Sequence, residues 1–109
     1  MKVLLTGATG YIGHQLAHKL AKDNFTVNAL VRDLNSKNMP RHKNIIPFKG
    51  NICDYDSVKN AINDCDYVFH TAAYTDLKCY KINKFYNTNV LGTTNIMKAS
   101  LDKNIKKVI

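Results

Sequence analysis

Glutamate and tryptophan are absent from this 109-residue chain, and cysteine, proline and glycine are scarce, at three, two and five residues. Aspartate is the sole acidic residue, so eight acidic groups face 16 Lys and Arg and leave a net charge of +8. Such a balance raises the question of a nucleic-acid partner. The lysines are scattered, however, and the one dense group is Lys103, Lys106 and Lys107 near the end. Lys, Asn and Ile make up roughly a third of the residues, a bias that A/T-rich coding produces without selection for a partner. No nucleic-acid partner is therefore expected, only a general attraction for phosphorylated small molecules. Cys53, Cys65 and Cys79 form no C-x-x-C pair. That spacing fits neither a disulfide framework nor a zinc ribbon, and it suits reduced thiols in a cytoplasmic protein without a metal. No apolar run approaches the roughly 18 residues of a membrane span. Gly7 and Gly10 interrupt the apolar start before it could serve as a signal peptide. The length suits one small domain.

What is present is an alternation of short apolar runs with helix-like segments. Lys2–Thr6, Thr26–Val31 and Ile45–Lys49 read as strands, and residues 66–71, DYVFHT, as a fourth. Tyr11–Lys22 has helical spacing with Ile12, Leu16 and Leu20 on one face, closed by Asp23 and Asn24. Residues 33–43 are a polar connection containing Pro40. Asp54, Asp56 and Ser57 offer N-caps to a helix reaching about Asn63, with Val58 and Ile62 inward. A long helix is expected from residue 82 to about 102, with Val90, Met97 and Leu101 along one side, and residues 106–109 open a fifth strand. Near-continuous apolar strands alternating with helices predict a parallel sheet covered on both faces. Right-handed crossovers make it doubly wound, an α/β Rossmann-type sheet of order 3-2-1-4-5 with its switch point between the first and fourth strands. Ligands bind there, outside the carboxyl ends of the strands, where residues 7–13 and 71–73 would form the walls.

Residues 3–16, VLLTGATGYIGHQL, hold Gly7, Gly10 and Gly13 three apart, where the first strand gives way to the first helix. Turns need glycine for their own reasons. Here the strand before and the helix after favour a phosphate cradle: unpaired helix N–H groups and the positive end of the helix dipole meet the anion. In that arrangement one glycine makes the turn, a second admits the pyrophosphate, and a third lets helix pack on strand.

The stretch TGATGYIG resembles the N-terminal signature of the extended short-chain dehydrogenase/reductase family, of the NAD-dependent epimerase/dehydratase type. Further similar segments follow in the family's order: ALVRD (29–33), GNICDYDSV (50–58), DYVFHTAA (66–73) and NVLGTTNIMKA (89–99). Together they cover essentially the whole chain, and the dihydroflavonol reductase-like subgroup is the most similar in appearance. The resemblance implies a dinucleotide-binding domain over residues 1–109 and a cofactor site. From the glycine turn it would take Gly7, Thr9, Gly10, Tyr11, Ile12 and Gly13. From the later strand ends it would take Arg32, Asn51, Ile52, Thr71, Ala72 and Ala73. Arg32 suits the 2′-phosphate of NADP, with Lys37 and Arg41 as auxiliary partners; in the alternative, Asp33 is a ribose ligand for NAD. Asn51 stands where the family has Asp near the adenine, and its side-chain carbonyl can still meet the adenine amino group. Asn89 reads either as the family's helix-interior Asn or as a plain solvent-facing residue.

The family's proton transfer uses a Tyr-x-x-x-Lys helix and a Ser or Thr, which the resemblance places after the fifth strand. The chain therefore reads as an N-terminal portion, truncated at the start of that strand and lacking the substrate region, with no catalytic residue assigned. Tyr55–Lys59, Tyr74–Lys78 and Tyr80–Lys84 match the spacing, as chance permits with six Tyr and many Lys. His14 and His18, four apart, imitate a metal pair but read as solvent-facing, and His70 reads as structural. The expected function is the dinucleotide-binding portion of an oxidoreductase passing hydride between NADPH and a carbonyl. Alternatives are an NAD-dependent nucleotide-sugar epimerase/dehydratase fragment, or a non-catalytic NADP-binding module or inert remnant. The partners are the dinucleotide and, given a C-terminal half, a small-molecule substrate; the oligomeric state is open.

Overall fold

The computed structural model describes residues 1–74 and 82–109. Five parallel strands form one sheet in the order β3-β2-β1-β4-β5: β1 Lys2–Thr6, β2 Thr26–Val31, β3 Ile45–Lys49, β4 Tyr67–His70 and β5 Lys107–Val108. The first three strands and α1 (Tyr11–Lys22) have the bounds expected from their apolar runs. Alternation within the strands divides the core between the two faces. Val3, Leu5, Val27, Ala29 and Val31 pack with Ala17, Leu20 and Ala21 of α1. Leu4, Leu30 and Val68 pack on the other side with Val58, Ala61 and Ile62 of α2 (Tyr55–Ile62) and with Ile96 and Ala99. Pro47 sits within β3, which is tolerated because β3 lies at the sheet edge.

The scarcity of glycine shows in how helices stop. Asn24, Asp64 and Asn104 take the left-handed conformation just past α1, α2 and the last helix, at φ of 69°, 62° and 54°. These are the residue types that adopt it most readily after glycine. The expected long helix is continuous but not uniform: α3 (Ile82–Phe85) runs into a π-helical segment (Tyr86–Gly92) and then α4 (Thr93–Asp102). Its buried residues are Gly92, Ile96, Ala99 and Ser100, and the apolar side made by Val90, Met97 and Leu101 is exposed. Ile12, expected on the inner face of α1, is also exposed, because Gly13, Ala17, Leu20 and Ala21 make that face. No helix among the described residues is long and apolar enough to cross a membrane.

Candidate functional site

The carboxyl ends of β1, β2, β3 and β4 enclose a crevice of about 220 Å³. Its floor is the glycine turn. Gly7 has φ +74°, which L side chains rarely adopt, and a Cβ there would lie 2.6 Å from Thr71 Oγ1 and 2.7 Å from the Ala72 nitrogen. At Gly13 a Cβ would come within 1.9 Å of the Gly7 carbonyl oxygen, so glycine lets α1 lie directly on the turn. Gly10 differs. Its φ of −81° suits any residue, and a Cβ would meet only the Gly7 carbonyl oxygen, at 3.3 Å. Packing thus demands glycine at 7 and 13 and asks far less at 10, which lines the crevice beside Thr9.

No side chain caps α1 at Gly10, so the first-turn N–H groups of Tyr11, Ile12 and Gly13 have no acceptor within the helix. None of these three residues forms the crevice wall, and the side chains of Tyr11 and Ile12 are 86% and 68% exposed. What they offer is backbone donors at the positive end of a helix, a site for an anion. The charge on the walls agrees: among the described lining residues Arg32 is the single charged side chain. Arg32 makes no ion pair or side-chain hydrogen bond among the described residues. The adjacent Asp33 does not line the crevice, and its Oδ1 accepts from the Asn35 N–H at 2.9 Å. Lys37 and Arg41 are exposed and lie outside the lining.

The far walls are held by side-chain bonds across long sequence separations. Asn51 lines the crevice, but its Oδ1 accepts from the Cys53 N–H at 2.9 Å, closing a local turn. Ser57 hydroxyl bonds both the Asn51 N–H and carbonyl, at 3.0 and 2.8 Å. Ile52 packs where a Cβ on Gly92 would stand, 2.4 Å from its Cδ1, and its carbonyl accepts from Asn95 Nδ2 at 2.8 Å. Past β4, Thr71 Oγ1 donates to the Thr6 carbonyl at 2.7 Å, and the Ala72 N–H donates to Thr6 Oγ1 at 3.2 Å. Asn89, in the π-helical segment, grips Tyr74 twice: Oδ1 accepts its N–H at 2.7 Å and Nδ2 donates to its carbonyl at 3.2 Å. Asn89 is exposed, as one of its two readings has it, yet its amide is engaged by Tyr74 rather than by solvent alone.

Residues 3–109 match the family model of the NAD dependent epimerase/dehydratase family. The chain belongs to that family. A ketoreductase of Stigmatella aurantiaca, acting on a 4-farnesyl-dihydroquinoline oxide by its name, is 29% identical over 100% of this chain and 32% of its own length. The UDP-glucose 4-epimerase of Rickettsia typhi is 31% identical over 98% of this chain and 35% of its own. The Bordetella bronchiseptica enzyme WbmH, solved in complex with NAD+, superposes with a TM-score of 0.87 at 27% identity, over 98% of this chain and 37% of that one. The chain spans about a third of the length of the curated relatives it matches.

The epimerase/dehydratase crevice also draws in residues that sequence reading missed. Leu30 and Gly50 line it from the ends of β2 and β3, and Tyr74 and Thr88 from the loop and the π-helical segment. Gly50 carried a signal, since a glycine closing a strand at the carboxyl edge admits close approach; a Cβ there would strike Ser57 at 2.5 Å. Tyr74 is marked only by following Ala73 at the crevice, as part of a Tyr-x-x-x-Lys match, and nothing local marks Thr88. Of the Tyr-x-x-x-Lys matches, Tyr55–Lys59 lies away from the crevice, with Tyr55 hydroxyl bonded to Asp102 and Lys59 Nζ 5.6 Å from its ring. The bond to Asp102 raises the Tyr55 pKa, the opposite of what a proton-transferring tyrosine requires. Lys78 and Tyr80 of the other two matches lie outside the described residues. His14 and His18 are not solvent-facing as expected. They are half-buried and tie α1 to the 33–43 connection, through His14 Nδ1 to the Asn38 carbonyl at 2.6 Å and His18 Nε2 to the Arg41 carbonyl at 3.4 Å. Among the described residues no three His, Cys or Asp groups gather to hold a metal. Cys53 and Cys65 are free thiols; Cys79 lies outside the described residues.

Proposed function

We propose that the crevice binds NADP and that the chain is the dinucleotide-binding portion of a reductase passing hydride to a carbonyl. The observation that carries this reading is the division of labour at the end of β2: Arg32 lines the crevice with no side-chain partner among the described residues, while the Asp33 carboxylate is engaged by the Asn35 N–H. A 2′-phosphate supplies the anion that an unpaired guanidinium matches through charge-assisted hydrogen bonds. The other residues fit the rest of the molecule. The N–H groups of Tyr11, Ile12 and Gly13 suit the pyrophosphate, with Gly10 leaving it room. Asn51 and Ile52 would face the adenine, and the small side chains of Thr71, Ala72 and Ala73 let the nicotinamide half lie against β4. When bound, the nicotinamide supplies the hydride. This chain's described residues bind and orient it; the chain spans about a third of the relatives' length, and none of its described residues is assigned to the substrate or to proton transfer.

A second reading, an NAD-dependent epimerase, is favoured by the Rickettsia epimerase relative and by the NAD+ complex of the WbmH enzyme. Titration of the protein and of Arg32→Ala with NADPH and NADH separates the two. Loss of a charge-assisted contact is expected to cost the variant about tenfold or more in NADPH affinity, with NADH little changed. Equal affinities for both cofactors, unaltered by Arg32→Ala, would overturn the 2′-phosphate assignment and leave the NAD reading.

A further inference from the structure

His70 belongs to no wall of the crevice, yet it touches groups on both sides of the switch point. Its Nδ1 lies 2.7 Å from Thr6 Oγ1 on β1, and its Nε2 lies 3.0 Å from Thr93 Oγ1 at the start of α4. Thr6 immediately precedes Gly7 and is fully buried. Its hydroxyl already accepts the Ala72 N–H, so its own proton has one acceptor among the described residues, His70 Nδ1. That assigns the ring: Nδ1 bare and accepting, Nε2–H donating to Thr93. The chain Thr93–His70–Thr6–Ala72 thus joins the long helix, β4, the glycine turn and the crevice wall.

We propose that His70 is a positioning residue for the dinucleotide site: by accepting the Thr6 proton it orients that hydroxyl toward the Ala72 N–H and holds the glycine turn and the β4 exit in register. The inference rests on the crevice being the dinucleotide site. Protonating Nδ1 reverses the bond. Thr6 then faces two donors, and its own proton is left without an acceptor in a dry position. No Asp, Lys or Arg forms an ion pair with the ring among the described residues; from β1 the ring meets Thr6 and from α4 Thr93, while the His70 backbone N–H donates to the main-chain oxygen of Ile109 beyond β5. Nothing in that set favours the charged form, and burial opposes it.

The test pairs substitutions that keep one link each. In His70→Asn, Oδ1 can replace Nδ1 toward Thr6; in His70→Gln, the longer amide can replace Nε2–H toward Thr93. NADPH titration across pH 5.5–8 is expected to show His70→Gln weakened about tenfold or more, with His70→Asn recovering most of that loss and losing the acid-side decline of the parent. Thr6→Val should copy His70→Gln, and the double variant should bind no worse than either single one. Nitrogen NMR of the His70 ring should show Nδ1 unprotonated at neutral pH. Equal losses in both His70 variants, tracking their unfolding midpoints, or an Nδ1–H tautomer, would overturn the proposal. If the parent protein binds neither dinucleotide, the crevice reading fails, while the ring tautomer still decides the hydrogen-bond assignment.

Discussion

Gly10 and Gly13 stand three residues apart in one motif, yet alanine should harm them in different ways. At position 13 the new Cβ would sit 1.9 Å from the Gly7 carbonyl oxygen and 2.7 Å from its carbon. Both are backbone atoms of a turn closed by the Gly10 N–H to Gly7 carbonyl bond at 3.0 Å, so neither can swing aside. Relief requires α1 to lift from β1, loosening Ala17, Leu20 and Ala21 from Val3 and Leu5. Overpacking of a fitted core costs about 1–3 kcal/mol, and more where backbone must move. Alanine's better helix propensity offsets about 1 kcal/mol of that. A net loss of about 2 kcal/mol is a large fraction of a small domain's stability. At position 10 the contact is 3.3 Å with φ −81°, and an alanine N-cap costs about 1 kcal/mol or less. Its methyl, however, would stand in the crevice over the α1 N-terminus. Urea unfolding and NADPH titration of both variants give the decisive pair of readings. Gly13→Ala should shift the unfolding midpoint, and Gly10→Ala should bind dinucleotide at least about tenfold more weakly while unfolding close to the parent. If Gly10→Ala binds like the parent, the cradle assignment at this turn is wrong.

Burial pushes the Cys65 thiol up to about 11, while Cys53 is exposed; alkylation at neutral pH followed by peptide mass spectrometry should label Cys53 in the folded protein and Cys65 only under denaturant. Asn28 is buried in β2 and donates to the Ala61 carbonyl at 2.8 Å, so Asn28→Asp replaces a donor with a buried charge. A loss of about 3–5 kcal/mol at pH 7, partly recovered as the pH falls, should appear in urea unfolding. The folded-state pKa of His70 is lowered by burial, so the unfolded chain takes up that proton first as the pH drops. Its contribution to stability is complete above the ordinary value of 6.5 and is lost as the pH falls from there toward the lower folded value; unfolding at pH 7.5 and 5.5 should show the loss, and His70→Asn should reduce it.

The legible parts of the fold were those set by local pattern. Short apolar runs fixed β1, β2 and β3 to the residue: β1 and β2 are buried on both faces, and the mostly exposed edge strand β3 is bounded by the polar residues before Ile45 and by Gly50. The glycine turn, Arg32 and the small residues after β4 were legible because each sits at a strand end, where the doubly wound topology gathers ligands. The grips that hold the walls were not. Asn89 on Tyr74, Asn95 on Ile52 and His70 on Thr6 act across 15, 43 and 64 residues; His70 reads as structural and Asn89 as a candidate, but nothing local in the sequence names their partners. His14 was misplaced for the same reason: its partner is a backbone carbonyl 24 residues away.

The helix over residues 82–102 shows how such a misreading can itself point to the site. Apolar spacing groups Val90, Met97 and Leu101 along one side, yet the buried face carries Gly92, Ile96, Ala99 and Ser100, with Thr93 and Asn95 half-buried beside it. Hydrophobic burial alone would have chosen the other side. The inward choice follows once the backbone of the crevice walls is counted. Tyr74 and Ile52 expose carbonyls that face the helix, and Asn89 and Asn95 satisfy them. Ile52 needs a neighbour without a Cβ, which Gly92 supplies. His70 needs a hydroxyl for Nε2, which Thr93 supplies. The π-helical turn ends at that Gly92–Thr93 junction, in keeping with the tendency of such irregular turns to occur at functional sites. Ile96 and Ala99 still fill the core on this face, while Gly92, Thr93 and Asn95 serve Ile52 and His70 beside the crevice.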